Sequence, residues 1–145
     1  MMKETKLGFK IYYLSKLIRN NIDRNRSEKD FTGMQGRALH FLLGQEDECE
    51  VFQKDIEFEF QIKRSTATEL LQALEEKEYI KRIPTSYDAR LKRIYLLPKA
   101  KDLAPKVEQQ VNVIDDIIKE DITEEELEIF TEVLDKMIEN MKKVE

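Results

Sequence analysis

The hydrophobic period of this chain changes in only one place, and that place decides what the rest can fold into. In "YIKRIPTSYDARLKRIYLL", residues 79–97, two short runs rich in β-branched and aromatic side chains flank a polar turn, the signature of a β-hairpin. Pro84 stands at the edge of the first run, where its missing N–H removes no central ladder bond. On both sides of the hairpin the apolar residues recur at helical spacing instead.

Leu7, Ile11, Leu14, Ile18 and Ile22 form one helical stripe, with Phe9, Tyr12 and Tyr13 off it. The break "DRNRSEKDFTG" separates this helix from a short one expected over about 34–43. "GQEDECE" reads as a loop. Further helices are expected over 53–60 and over 64–78, the latter with Ala67, Leu70, Leu71 and Leu74 inward. After Pro98 the helical pattern returns through Leu103, Val107, Val111, Ile114 and Ile118. The last helix carries the clearest start: in "ITEEEL", Thr123 and Glu126 have the spacing of a capping box, and Ile122 and Leu127 that of a hydrophobic staple.

The fold class is therefore mainly α, with one two-stranded hairpin after four helices and two long helices behind it. A short helix pair followed by a hairpin is a winged helix-turn-helix, whose second helix enters the major groove of DNA while the hairpin reaches flanking backbone or minor groove. With 145 residues, one domain is expected.

Composition narrows the function classes. The net charge of −5 argues against a nucleic-acid partner until its distribution is considered. Residues 1–45 carry 9 basic and 4 acidic groups, 46–60 carry 1 and 7, 61–99 carry 9 and 5, and 100–145 carry 6 and 14. A basic middle beside an acidic end suits one face for DNA and another for a partner, although ordinary helix surfaces produce the same numbers. No apolar run reaches the ~18 residues of a membrane span. "MMKETKLGFKIYYL" lacks a clean apolar stretch and a small-residue cleavage site, which argues against a signal peptide. One cysteine cannot form an internal disulfide, so a cytoplasmic location is expected.

The stretch 31–100 resembles the MarR-type transcription regulators. The similarity lies in "FTGMQGRAL", in "STATELLQALEEKEYIKR" for the recognition helix and its exit, and in the Asp-x-Arg of the wing, Asp88 and Arg90. "FTGMQG" is especially similar to regulators of multidrug efflux pumps. The resemblance implies an obligate homodimer on a pseudo-palindromic operator, most often a repressor. Helices from 1–26 and 103–145 would form the dimer layer, and 31–100 the DNA-binding lobe. It also implies a small phenolic or amphipathic effector in a crevice between layer and lobes. The chain departs from the family pattern at Glu78, where a glycine usually leaves the recognition helix, at Glu69, a position often basic, and at Leu97-Pro98 with Ala100 after the wing.

The candidate DNA-binding residues are Arg64, Ser65, Thr66 and Thr68 at the start of the recognition helix and Asp88, Arg90, Lys92 and Arg93 in the wing. Short hydroxyls let the backbone approach a groove, and a helix amino terminus favours phosphate; simple capping by Thr66 with Glu69 is the competing reading. In the wing, Asp88 would pin the tip, Arg90 enter the minor groove, and Lys92 and Arg93 meet phosphates. A solvated basic turn is the competing reading there.

Tyr12, Tyr13, Phe31 and Phe41 are candidates for lining an effector crevice, against an aromatic-core reading. Cys49 lies among carboxylates that disfavour a thiolate, and His40 with Cys49 does not supply a tetrahedral metal set. No catalytic grouping, phosphate loop or cofactor motif is visible, and no metal site or cofactor is expected. The rival to a DNA-binding regulator is a winged-helix protein-interaction module, suggested by Glu69, Glu78 and the negative total.

Overall fold

The computed structural model describes residues 6–24, 32–45 and 49–144. Among these the order is α1 (Leu7–Arg24), α2 (Gly33–Gln45), α3 (Gln53–Phe60), α4 (Arg64–Glu76), β1 (Ile80–Pro84), β2 (Lys92–Leu96), α5 (Pro98–Lys119) and α6 (Glu124–Lys142). The chain is mainly helical with one small sheet, as its periodicity predicts. It divides into two compact units, Met1–Val111 and Asn112–Glu145, with α5 running from the first into the second.

Several helix ends of the first unit are set by local hydrogen bonds. At α2, Gln35 N–H donates to Thr32 Oγ1 (3.2 Å) while Thr32 N–H donates to Gln35 Oε1 (3.1 Å), a reciprocal capping box. Before α3, Phe52 N–H donates to Asp55 Oδ2 at 2.8 Å. Helix α4 starts differently: its N-cap, Lys63, makes no side-chain cap bond, so the alternative box of Thr66 with Glu69 does not form the helix start.

The exit of α4 is a Schellman turn. Tyr79 N–H donates to the Leu74 carbonyl and Glu78 N–H to that of Glu75, both at 2.9 Å. Glu78 has φ 62°, in the left-handed region, which the missing glycine makes a strained position.

The core of this unit gathers Ala38, Leu39 and Leu42 of α2, Ile56 of α3, and Ala67, Leu70, Leu71 and Leu74 of α4. Tyr79, Ile80 and Ile94 close it from the hairpin, and Ala100 and Val107 from α5. The strands are antiparallel, with Ile80 opposite Leu96, Arg82 opposite Ile94 and Pro84 opposite Lys92. Because side chains alternate across a sheet, Ile80, Arg82, Lys92 and Ile94 share one face, and Lys81, Ile83, Arg93 and Tyr95 the other. Buried Ile80 and Ile94 show that the first face packs on the core. Ile94 N–H also donates to the Val51 carbonyl at 2.8 Å, tying the segment before α3 to the outer strand.

In the second unit, the Thr123–Glu126 box forms as its spacing predicts: Glu126 N–H donates to Thr123 Oγ1 (3.1 Å) and Thr123 N–H to Glu126 Oε2 (3.0 Å). Along α6, Ile129, Phe130, Val133, Ile138 and Met141 are exposed. In the first unit, α1 likewise exposes Leu7, Phe9, Ile11, Tyr12, Tyr13, Leu14 and Leu17.

Candidate nucleic-acid interface

The first turn of α4 and the tip of the hairpin face one groove of about 390 Å³, lined by Arg64, Thr68, Arg82, Arg90, Lys92 and part of α3. Four of these five side chains are cationic, as a polyanion surface requires, and the fifth, Thr68, carries a hydroxyl. Glu57 of α3 also lies on the wall, whereas Glu69, exposed on α4, is not part of the lining.

Arg64, Ser65 and Thr66 are exposed on the opening turn of α4. With no side-chain cap there, the amino end of the helix dipole faces outward. Thr68 is placed otherwise. Its hydroxyl donates to the Arg64 carbonyl (2.9 Å) and accepts from Gln53 Nε2 (3.0 Å), so it braces the turn that presents its neighbours.

The wing tip is held by its own side chains. Thr85 Oγ1 donates to the Asp88 carbonyl (2.7 Å) and accepts from Asp88 N–H (3.1 Å). Asp88 Oδ1 accepts from both the backbone N–H (3.0 Å) and Nε (3.2 Å) of Arg90. The Arg90 side chain hydrogen bond, with help from its backbone N–H, holds the Asp88 carboxyl below the usual carboxylate range. The Arg90 side chain is 90% exposed, so the clasp aims the guanidinium without burying it.

Lys92 extends from the groove-facing side of β2, next to Arg90. Arg93, one residue on, lies on the opposite face of the hairpin. There its guanidinium stacks over the Tyr95 ring (4.8 Å to the centroid) and pairs with Glu50 (3.7 Å). Tyr87 donates its hydroxyl to the same Glu50 at 2.7 Å, which raises the phenol's pKa. Arg93 therefore belongs to a latch between the wing and the segment before α3, outside the groove.

Arg82, which the sequence reading left out, faces the groove and pairs with Glu75 near the end of α4. Its signal was available in the pairing period: Arg82 stands an even number of residues from Ile80, the inward residue of β1.

A second cavity, of about 570 Å³, lies between the last turns of α1 and the start of α2. Ile18, Ile22 and Met34 give it apolar walls, and Arg19, Asp23 and Arg37 supply charge. Tyr12 and Tyr13 are exposed and do not line it; Phe41 packs edge-on against Phe60 at 5.9 Å beside the core. Phe31 lies outside the described residues. Cys49 is exposed, its thiol donating to Gln45 Oε1 at 3.4 Å, and His40 Nε2 lies 3.1 Å from Glu108 Oε2. No group of metal-ligating side chains forms among the described residues, and no helix among them is long and apolar enough to cross a membrane.

A short helix pair beside a basic two-stranded wing, with longer helices before and after it in the chain, defines the winged-helix class. The model of the MarR family matches residues 29–91. The transcription regulator MarR from Oenococcus oeni PSU-1 is similar over 92% of this chain and 99% of its own, at 30% identity and TM-score 0.75. MepR from S. aureus, solved in complex with DNA, covers 94% of this chain and 99% of its own, at 26% identity and TM-score 0.84. The transcriptional regulator SlyA shares the fold at TM-score 0.86, with 20% identity over 96% of each chain. No curated protein matches at the sequence level. The chain belongs to the MarR family of transcription regulators.

Proposed function

We infer that this regulator binds a pseudo-palindromic duplex site as a homodimer and represses transcription, releasing DNA when a small effector binds. One observation carries the DNA-binding part: the groove in which Arg64 on the opening turn of α4 and Arg90 and Lys92 on the wing converge. Arg64, Ser65 and Thr66 approach the major groove, and Arg90 the adjacent minor groove. The solved MepR–DNA complex, a relative at 26% identity, supports this mode. Two copies would set their α4 helices about 34–36 Å apart, one turn of B-DNA.

The exposed apolar faces of α1 and α6 support self-association, since exposed stripes of this extent mark interaction surfaces. The cavity between α1 and α2 supports an amphipathic effector, with apolar walls and a charged rim at Arg19 and Arg37.

The test is a gel shift on the DNA upstream of this protein's own gene and on duplexes selected from a random pool, at two salt concentrations. A specific shift that weakens steeply with salt is expected, because each phosphate contact releases counterions. Arg90→Ala should weaken it about tenfold or more, as the loss of one well-placed charged contact does. It should leave the oligomeric state unchanged. Wild-type affinity for Arg90→Ala, or no selected duplex at all, would defeat the reading and favour a protein-interaction module.

A further inference from the structure

We propose that Glu75, Arg82 and Gln53 form a positioning ring that sets the distance and angle between the recognition helix and the wing. The proposal rests on the DNA-binding reading and adds residues that do not themselves touch DNA.

The ring is continuous. Gln53, in the first turn of α3, donates through Nε2 to Thr68 Oγ1 (3.0 Å) and to the Arg64 carbonyl (3.3 Å). Its Oε1 accepts from Arg82 Nη1 at 3.4 Å. Arg82 on β1 then grips Glu75 on the last turn of α4 through Nε and Nη2. The circuit thus runs from the first turn of α4, through α3, to the wing, and back to the last turn of α4. It ties both ends of one DNA-contacting element to the other.

The chemistry favours an internal role for Arg82. Its side chain is 19% exposed and that of Glu75 34%, so the pair is shielded from salt more than a surface bridge. A guanidinium has five donors in a fixed fork, which lets one residue hold Glu75 and Gln53 together; an ammonium has no such plane. Arg90 is a contrast on the same groove, with a 90% exposed side chain. On the same face Ile80 and Ile94 anchor the hairpin in the core, and Arg82 adds a polar tie beside them. Only two strands make the sheet, and an isolated hairpin is marginal in water.

The experiment compares Arg82→Gln, Glu75→Gln and the double variant in the full-length chain on a duplex selected by the wild type. A positioning ring predicts that each single variant loses affinity by about tenfold and that the double loses no more than either. Hydroxyl-radical protection of the flanking minor groove should fade in all three, while dimethyl-sulfate protection of major-groove guanines persists. Without DNA, amide hydrogen exchange in Ile80–Pro84 should quicken in all three variants, with thermal unfolding shifted by only a few degrees. Full affinity in Glu75→Gln beside a weak Arg82→Gln would make Arg82 a direct phosphate contact and overturn the proposal. Additive losses, or wild-type affinity throughout, would overturn it too. If the wild type binds no duplex, the DNA reading has failed on its own, and unchanged exchange in the variants would then dispose of the ring.

Discussion

Glu78 shows how one backbone torsion carries information that side-chain chemistry hides. It sits at φ 62°, as do Gln61 (49°) and Asp121 (60°) at two other helix exits, and no described glycine has a positive φ. A side chain in this region costs about 1–2 kcal/mol, partly offset in glycine by a more flexible unfolded chain. Glu78→Gly should therefore stabilise the lobe by about 0.5–1 kcal/mol in urea unfolding. Equal or lower stability would mean that the Glu78 side chain contributes more than its torsion costs. Asp88 supplies a second expectation. Its folded pKa is depressed by Arg90, so the stabilisation is complete above the unfolded carboxylate value, about 3.9. It is lost as pH falls through the lower folded value. NMR titration should find the Asp88 midpoint below that of a model peptide, and Arg90→Ala should raise it part of the way back, since the backbone N–H at position 90 still donates.

At the scale of elements, capping decided what could be read in advance. The Thr123–Glu126 box was legible as Thr-x-x-Glu before an apolar stripe, and α6 begins where it predicts. The equivalent Thr32-x-x-Gln35 box went unread, although the same rule covers glutamine, and α2 starts at Gly33 and not at Met34 in consequence. Gln35 Oε1 also accepts from Lys77 Nζ at 2.7 Å, so this cap anchors the far end of α4 as well. Thr32→Ala should cost about 1 kcal/mol of lobe stability, seen as a lower denaturation midpoint with an unchanged slope. The hairpin was legible from its period, and so were the exposed Arg90 and Lys92. What the period could not give was which hydroxyls and cations are already engaged. Thr68 braces its own turn, Arg93 turns to Tyr95 and Glu50, and Arg82 is recruited inward. Those outcomes depend on strand register and on neighbours distant in sequence. Of the aromatic candidates, Tyr12 and Tyr13 stand exposed earlier along α1, while Ile18 and Ile22 of its last turns line the space.

For the whole molecule, the apolar faces of α1 and α6 govern how the chain behaves in solution. On the proposed homodimer these surfaces are buried, so folding and association are linked, and the unfolding temperature should rise with chain concentration. Calorimetry across a hundredfold range of concentration measures this directly; a constant midpoint together with a monomeric sedimentation profile would remove the dimer. The same linkage has a consequence for gene control. When the chain is scarce enough to dissociate, the population able to span two half-sites grows with the square of its copy number. A cell that halves its supply then loses about three-quarters of its operator-competent species. On the proposed dimeric repressor, the greasy side of two helices would thereby set a threshold, below which the operator empties without any small molecule arriving.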